Sequence, residues 1–333
     1  MGHRANFILV EQGKATIYYS HWGAKTIPDM LVAGPDRCWN SIQRLAPGNE
    51  LLNNVWAEGG LLLDRDQRRL LFWGGEEIKY TPCLRRVFLP ALRLLWPEWT
   101  VEWALYGVAD LADALHIDRA MVLTGWVEEG FDPDNPLPDD ALLDSEYETT
   151  LLTVREQDGM VFDYCVQCLP GAVLSMGPHL LDALTKKKPG TLPHERDEDF
   201  DGGAFLDWTT RDLWVWGRST LDPRYLAALA ALWTGWHVAG HCEGIVRQVI
   251  LSGRDPSPIM VPQDEARAAL LKALSTEGPG MPTLTNLVNT ITTGMPGEAS
   301  QVKIASGFFS VPDQILSGEE RRQIVQQAFS QLS

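Results

Sequence analysis

The stretch EGGLLLDRDQRRLLFWG, from Glu58 to Gly74, marks the organisation of this chain because it occurs twice. The second copy, DGGAFLDWTTRDLWVWG, runs from Asp201 to Gly217 without a gap, and eight of the seventeen positions are identical. Each copy has two glycines, an apolar run, a short polar segment and a second apolar run. Two apolar runs joined by a short polar turn predict a β-hairpin. The sequence therefore predicts the same hairpin twice.

The match continues on both sides of the hairpin. Downstream, LLWPEWTVEWALYGV at Leu94–Val108 corresponds to ALWTGWHVAGHCEGI at Ala231–Ile245. Upstream, FILVEQGKATIYY corresponds to LLTVREQDGMVFDY. These matches predict a tandem duplication in which each copy has the size of a domain.

One copy predicts the element order β-β-α-β-β-α-β-α. Because hairpins dominate, we expect the α+β class, with a mainly antiparallel sheet in each module and helices on one face. After the second copy, helical patterns predict a C-terminal helical segment. The predicted divisions are a first module at residues 1–127, an acidic, proline-rich linker at 128–148, a second, diverged module at 149–254 and a helical extension at 255–333.

The composition limits the class of partner. The net charge is −16 and the pI is about 4.8, which argues against a nucleic-acid binder or an anionic-membrane binder, since both need a basic face. A strongly acidic chain favours a basic protein partner instead. The segment Tyr225–Cys242 is uncharged, but its counterpart carries Arg85, Arg86 and Arg93, so it is interpreted as helix, turn and strand rather than as a membrane span.

The cysteines and the N-terminus indicate the compartment. Five scattered cysteines do not suggest a disulfide framework, and the first residues lack the apolar core of a secretion signal. We therefore expect a cytoplasmic protein.

Tryptophan is abundant, with 13 residues. Tryptophans that match between the copies, such as Trp96 and Trp233, predict core positions. Those without a counterpart are candidates for binding a protein partner, because tryptophan is enriched at interfaces. They are Trp22, Trp39, Trp56, Trp103, Trp208 and Trp214.

The run Tyr18-Tyr-Ser-His-Trp22 is the most concentrated group of polar and aromatic residues. On a strand, Tyr19 and His21 face one way and Ser20 the other, so Ser20 and His21 do not easily form a dyad. His21 is a candidate general base near neutral pH. A structural or interface role is the alternative. The candidate catalytic residues are His21, Tyr19, Ser20, Asp64 and Arg68, all in the first module.

The clearest metal-binding pattern in the sequence is that of a zinc site. Cys165 and Cys168, with His237 and His241, supply four ligands of the kinds that tetrahedral zinc prefers. However, 68 residues separate the two pairs, and the histidines lie on a predicted strand, where they chelate less well than on a helix. Buried thiols that replace aromatic residues of the first copy are the alternative.

Three motifs carry a resemblance to known sequences. The start Met-Gly-x-Arg-Ala-Asn, the Tyr-Tyr-Ser-His-Trp run at 18–22 and the Phe-Trp-Gly-Gly run at 72–75 resemble a group of uncharacterised bacterial proteins. The resemblance covers mainly the first module. It implies a bacterial cytosolic source and brings no activity.

Three functional hypotheses follow. The first is a protein-interaction module of the immunity or inhibitor type that binds a basic partner; it depends on the charge, the unmatched tryptophans and the lack of a catalytic motif. The second is a hydrolase-like enzyme with one site around His21 and a decayed second copy. The third is a zinc-stabilised second module. No nucleic acid and no membrane is expected as a partner.

Overall fold

The computed structural model describes residues 3–125, 127–142, 150–194, 200–275 and 315–332. They form two mixed sheets, flanked by helices. The first sheet contains β1 (Ala5–Glu11), β2 (Lys14–Ser20), β3 (Pro47–Gly48), β4 (Gly59–Asp64), β5 (Arg69–Trp73) and β6 (Thr100–Trp103). The second contains β7 (Thr150–Arg155), β8 (Val161–Val166), β9 (Gly202–Asp207), β10 (Asp212–Gly217) and β11 (His237–His241).

Apart from the short edge strand β3 of the first sheet, the two sheets have the same strand order. It is β3-β2-β1-β4-β5-β6 in the first and, from the corresponding edge, β8-β7-β9-β10-β11 in the second. The predicted hairpins are antiparallel, whereas β1 pairs with β4, and β5 with β6, in parallel. The second sheet repeats this pattern. The α+β class and the two similar modules are thus confirmed, and helical connections between hairpins account for the parallel pairs.

The helices surround both sheets. In the first module they are α1 (Gly23–Val32), α2 (Pro35–Ile42), α3 (Glu76–Tyr80), α4 (Pro82–Leu95) and α5 (Val108–Ala114). In the second they are α6 (Pro170–Leu174), α7 (His179–Leu184), α8 (Pro223–Leu232) and α9 (Gly244–Leu251), and α10 (Gln263–Ser275) and α11 (Gly318–Ser330) follow.

The expectation of helices on one face is wrong for the first module. Helices α1, α2 and α4 pack on one face of the sheet, against strand residues such as Phe7 and Phe72. Helix α5 packs on the other face, where Leu111 meets Ile8 and Leu62. Both faces of these strands are apolar, which is why each face needs a cover.

The matched tryptophans lie in the cores, as predicted. Trp96 and Trp233 are fully buried, and each donates its indole N–H to a main-chain carbonyl, that of Leu31 at 2.8 Å and that of Leu174 at 3.1 Å. The two acceptors occupy corresponding positions in α1 and α6. The duplication therefore extends to individual hydrogen bonds.

The modules contact each other through corresponding segments. The N–H of Leu221, just before α8, donates to the carbonyl of Leu105 at 3.0 Å. In return, the guanidinium of Arg85, in α4, donates to the carbonyl of Cys242. Leu105 and Cys242 correspond, since each lies two residues before a left-handed glycine, Gly107 or Gly244, at the start of the last helix of its module. Reciprocal contacts of this kind are typical of a two-fold dimer interface.

The predicted linker packs against the second module. Phe131 lies edge-on to Tyr225, with ring centroids 5.2 Å apart, and Leu142 is buried in the second core. Residues 143–148, the end of the predicted linker, lie outside the described residues.

The C-terminal helices pack on the first module. Leu270 of α10 and Val325 of α11 are fully buried in the core that α4 covers. Ser317 and Glu320, three residues apart in the sequence, form a capping box at the start of α11. The guanidinium of Arg321 is 1 % exposed and donates to the carbonyls of Leu274 and Leu316, both at 2.8 Å, beside the Asp29 carboxylate at 3.1 Å.

We predict that Arg321→Met destabilises the protein by about 2 to 3 kcal/mol, because the hydrogen bonds that the buried guanidinium donates are lost and the Asp29 carboxylate loses its cationic partner. Chemical unfolding measures the change. Arg322→Met, at the neighbouring exposed position, is the control. Equal unfolding free energies for the two variants would contradict this role of Arg321.

Candidate functional site

The Tyr19 and His21 side chains meet where β2 ends. The Tyr19 hydroxyl lies 3.0 Å from Nδ1 of His21. Their alternate spacing puts both side chains on the same side of the chain, as predicted, while Ser20 is fully buried. The structure thus brings Tyr19 and His21 together and separates Ser20 from them.

Arg4 sets the electrostatics of this pair. Burial lowers the pKa of His21, and the nearby Arg4 charge lowers it further, because both disfavour the imidazolium. Burial raises the pKa of Tyr19, and Arg4 opposes this effect. At neutral pH, His21 is therefore a neutral imidazole beside a neutral phenol.

The predicted catalytic carboxylate and arginine lie elsewhere. Parallel pairing of β1 with β4 places Ala5, and hence the end of β2, beside Gly59, while Asp64 lies five residues further along β4. At ~3.3 Å per residue, this separates Asp64 from His21 by about 17 Å. Arg68 lies in the turn beyond Asp64, so the predicted set is not brought to one centre.

Asp64 and Arg68 have structural partners in the hairpin turn. An Asp64 carboxylate oxygen accepts the N–H groups of Asp66 and Gln67, both at 2.9 Å. Arg68 has a positive φ of 49° and pairs with Glu98. In the second module Asp207 accepts the N–H groups of Thr209 and Thr210, and Arg211 has a positive φ of 58°. The identity of these residues in the two copies is therefore explained by the geometry of the turn.

The four predicted zinc ligands are not brought together. Cys165 lies on β8 and His237 and His241 on β11, at opposite edges of the sheet, about 19 Å apart at ~4.8 Å per strand. Cys168 follows β8. His237 pairs with Asp212 at 3.0 Å, whereas His241 is buried. Among the described residues, no group of three or more His, Cys, Asp or Glu side chains is arranged to hold a metal ion.

The unmatched tryptophans differ in exposure. Trp56 is 52 % exposed, with the Arg4 guanidinium 4.9 Å from the centre of its ring. Trp39 is 3 % exposed and lies in the first core, with the Arg65 guanidinium 3.9 Å from the centre of its ring, so the structure does not place it on the surface. Trp22, Trp103, Trp208 and Trp214 are half-buried.

A groove on the α5 side of the first sheet has a volume of about 460 Å³. Leu62 and Leu71 form an apolar floor. Four carboxylates line it, and Arg69 and His116 are the basic residues among them. The carboxylates belong to Asp64, Glu102, Asp110 and Asp113.

Most groove carboxylates make contacts within the protein. Glu102 pairs with Arg69 and Asp113 with Arg119, both at 2.5 Å. Asp110 accepts the N–H of Tyr106 at 2.8 Å. Burial raises the pKa of Asp110, and the neighbouring negative charge of Asp113 adds to this effect. The groove therefore concentrates more negative charge than its own arginines balance.

Sequence reasoning missed this groove, apart from Asp64 and Trp103, because its residues come from three strands and a helix. The second module lacks it: Trp214 stands where the first has Leu71, Ala239 replaces Glu102 and Arg247 replaces Asp110. A comparison of the two copies would have found the signal, since Glu102, Asp110 and Asp113 have no carboxylate counterpart in the second copy.

Comparisons with models of protein families, with curated proteins and with solved structures give no match to this chain. No helix in the described ranges is both long and apolar enough to cross a membrane. Evidence on function therefore comes from two places in the first module, the contact of Tyr19 with His21 at the end of β2 and the acidic groove.

We predict that His21 titrates below its ordinary pKa of 6.5 and that Arg4→Gln raises the value, because a neighbouring positive charge is removed. Since the folded state disfavours the proton, this histidine should contribute to stability above pH 6.5, and the contribution should fall as the pH falls through its folded pKa. NMR titration of labelled histidines measures the shift. Arg93→Gln, at an exposed position of α4, should leave it unchanged.

Proposed function

We propose that this protein is an interaction module of the immunity or inhibitor type that binds a basic protein partner, and that the acidic groove of the first module receives basic side chains. The observation that carries this proposal is a groove of about 460 Å³ lined by four carboxylates, beside which lie two arginines, Arg69 and Arg119, and one histidine, His116. The second module shares the fold of the first but lacks this groove. The groove is therefore not needed to form the fold, which fits a specific binding role.

The groove suits a lysine or arginine side chain. The floor of Leu62 and Leu71 can contact the aliphatic stem, while Glu102 and Asp113 lie at the exposed side, where a cationic head group arrives. A volume of this size falls in the range of specific ligand pockets, about 300 to 1,000 Å³.

The charge of the whole chain supports the same partner. With a net charge of −16, the protein attracts a basic molecule over distance and repels an acidic one. The groove then provides short-range contacts that distinguish one basic partner from another.

The alternative of a hydrolase-like enzyme has less support. It needs His21, Asp64 and Arg68 at one centre, and the parallel pairing of β1 with β4 places the last two at the far end of the sheet. The contact between Tyr19 and His21 remains, with no carboxylate of the predicted set beside it.

We predict that the combined Glu102→Gln and Asp113→Asn variant binds the basic partner at least about tenfold more weakly, because two charges that face the partner are removed. The tagged full chain captures the partner from a lysate of its native host, mass measurement gives the stoichiometry, and calorimetry with the purified partner gives the affinity.

Asp134→Asn removes an exposed carboxylate outside the groove and is the matched control. A one-to-one partner with a pI above about 9, bound normally by the control and weakly by the groove variant, supports the proposal. An empty capture, or equal binding by both variants, counts against it.

A further inference from the structure

A second surface of the first module lies around the end of β2, about 17 Å along the sheet from Asp64. It contains Arg4, Trp56, Lys79 and Tyr80, here called the cationic-aromatic patch. Main-chain contacts join its members: the Arg4 carbonyl accepts the N–H of Glu58 at 2.8 Å, and the Glu58 carbonyl accepts a hydrogen bond from Lys79 at 3.1 Å.

The patch carries positive charge that its own residues leave unbalanced. The two neighbouring carboxylates have other partners: Glu58 lies 3.1 Å from Nδ1 of His3, and Glu76 lies 2.9 Å from the Lys25 ammonium. Arg4 and Lys79 form no ion pair with a carboxylate among the described residues. Two unpaired cations at one place are unexpected in a chain with a net charge of −16.

Aromatic side chains hold these cations in place. The Arg4 guanidinium lies 4.9 Å from the centre of the Trp56 ring, and the Lys79 ammonium lies 5.0 Å from that of Tyr80. Lys79 is also fixed by its bond to the Glu58 carbonyl. Cations that are already positioned lose less side-chain entropy when they bind an anion.

The shape of the patch favours a peptide over a small molecule. The notch between Lys79 and Tyr80, which Glu58 and Glu76 also line, has a volume of about 50 Å³, well below that of a small-molecule pocket. Around it, Val55, Trp56 and Tyr80 are 57 %, 52 % and 47 % exposed. Open surfaces that present tryptophan, tyrosine and arginine are typical of the energetically dominant part of protein interfaces.

The second module does not repeat the patch. In the register that matches Ala5 with Thr150 and Gly59 with Gly202, the sequence has Thr149 and Asp199 where the first module has Arg4 and Trp56. As with the groove, a feature confined to one copy is not needed to build the shared fold.

We propose that the cationic-aromatic patch binds the carboxylates of an acidic peptide segment. Arg4 and Lys79 supply the charge, and the exposed faces of Trp56 and Tyr80 cover the apolar part of the peptide. This surface is separate from the acidic groove and opposite in charge, so the protein has two binding surfaces of opposite preference on one module.

The test uses the full chain and three probes: a hexaglutamate peptide, a hexaglutamine peptide and inorganic phosphate. Calorimetry measures affinity, and the indole resonance of Trp56 locates binding. We expect hexaglutamate to bind and hexaglutamine not to bind. Raising the salt concentration from about 50 to about 300 mM should weaken binding, since the contact is between exposed charges.

Arg4→Gln and Lys79→Gln should each weaken hexaglutamate binding about tenfold, whereas Arg93→Gln should leave it unchanged. Unfolding curves that match the wild type show that the variants are folded, and two separate variants protect the test against one misfolded protein. Absence of hexaglutamate binding, or equal binding by the patch variants and the control, would overturn the proposal. Phosphate binding as tight as that of the peptide would also overturn it, because a small-anion site would then suffice.

Discussion

The buried guanidinium of Arg85 is the constraint on which the arrangement of the two modules depends. It is 3 % exposed, and burial lowers its pKa because the cation is taken out of water. Its acceptors are main-chain carbonyls, those of Ile78 and Lys79 in its own module and that of Cys242 in the other. A buried charge is tolerated only when its hydrogen bonds are made, so the first module is complete only against the second.

Local signals in the sequence predicted much of the fold. The repeated hairpin, the buried Trp96 and Trp233 and the capping box at Ser317 all follow from residues close together in the chain. Helix α1 was missed because Pro28 lies within it. The packing of α5 on the second face of the sheet was not predicted, because it depends on long-range contacts that a short helical pattern does not reveal.

The candidate sites show the same difference between local signals, which the sequence reveals, and long-range packing, which it does not. Alternation along one strand was enough to bring Tyr19 to His21. The position of Asp64 depended on whether β4 pairs with β1 in parallel or antiparallel fashion, and nothing in the hairpin itself specifies that choice. The groove required three strands and a helix to assemble, so no contiguous motif could predict it.

The packing of α10 and α11 on the first module makes the second module, in topological terms, an insertion. The chain builds residues 5–125 of the first module, passes through the whole second module and returns to complete the first core with Leu270 and Val325. The first module is therefore a discontinuous domain whose two segments are joined through the second. Its core cannot close during synthesis until the inserted domain has emerged, which ties the folding order of the two modules to the direction of translation.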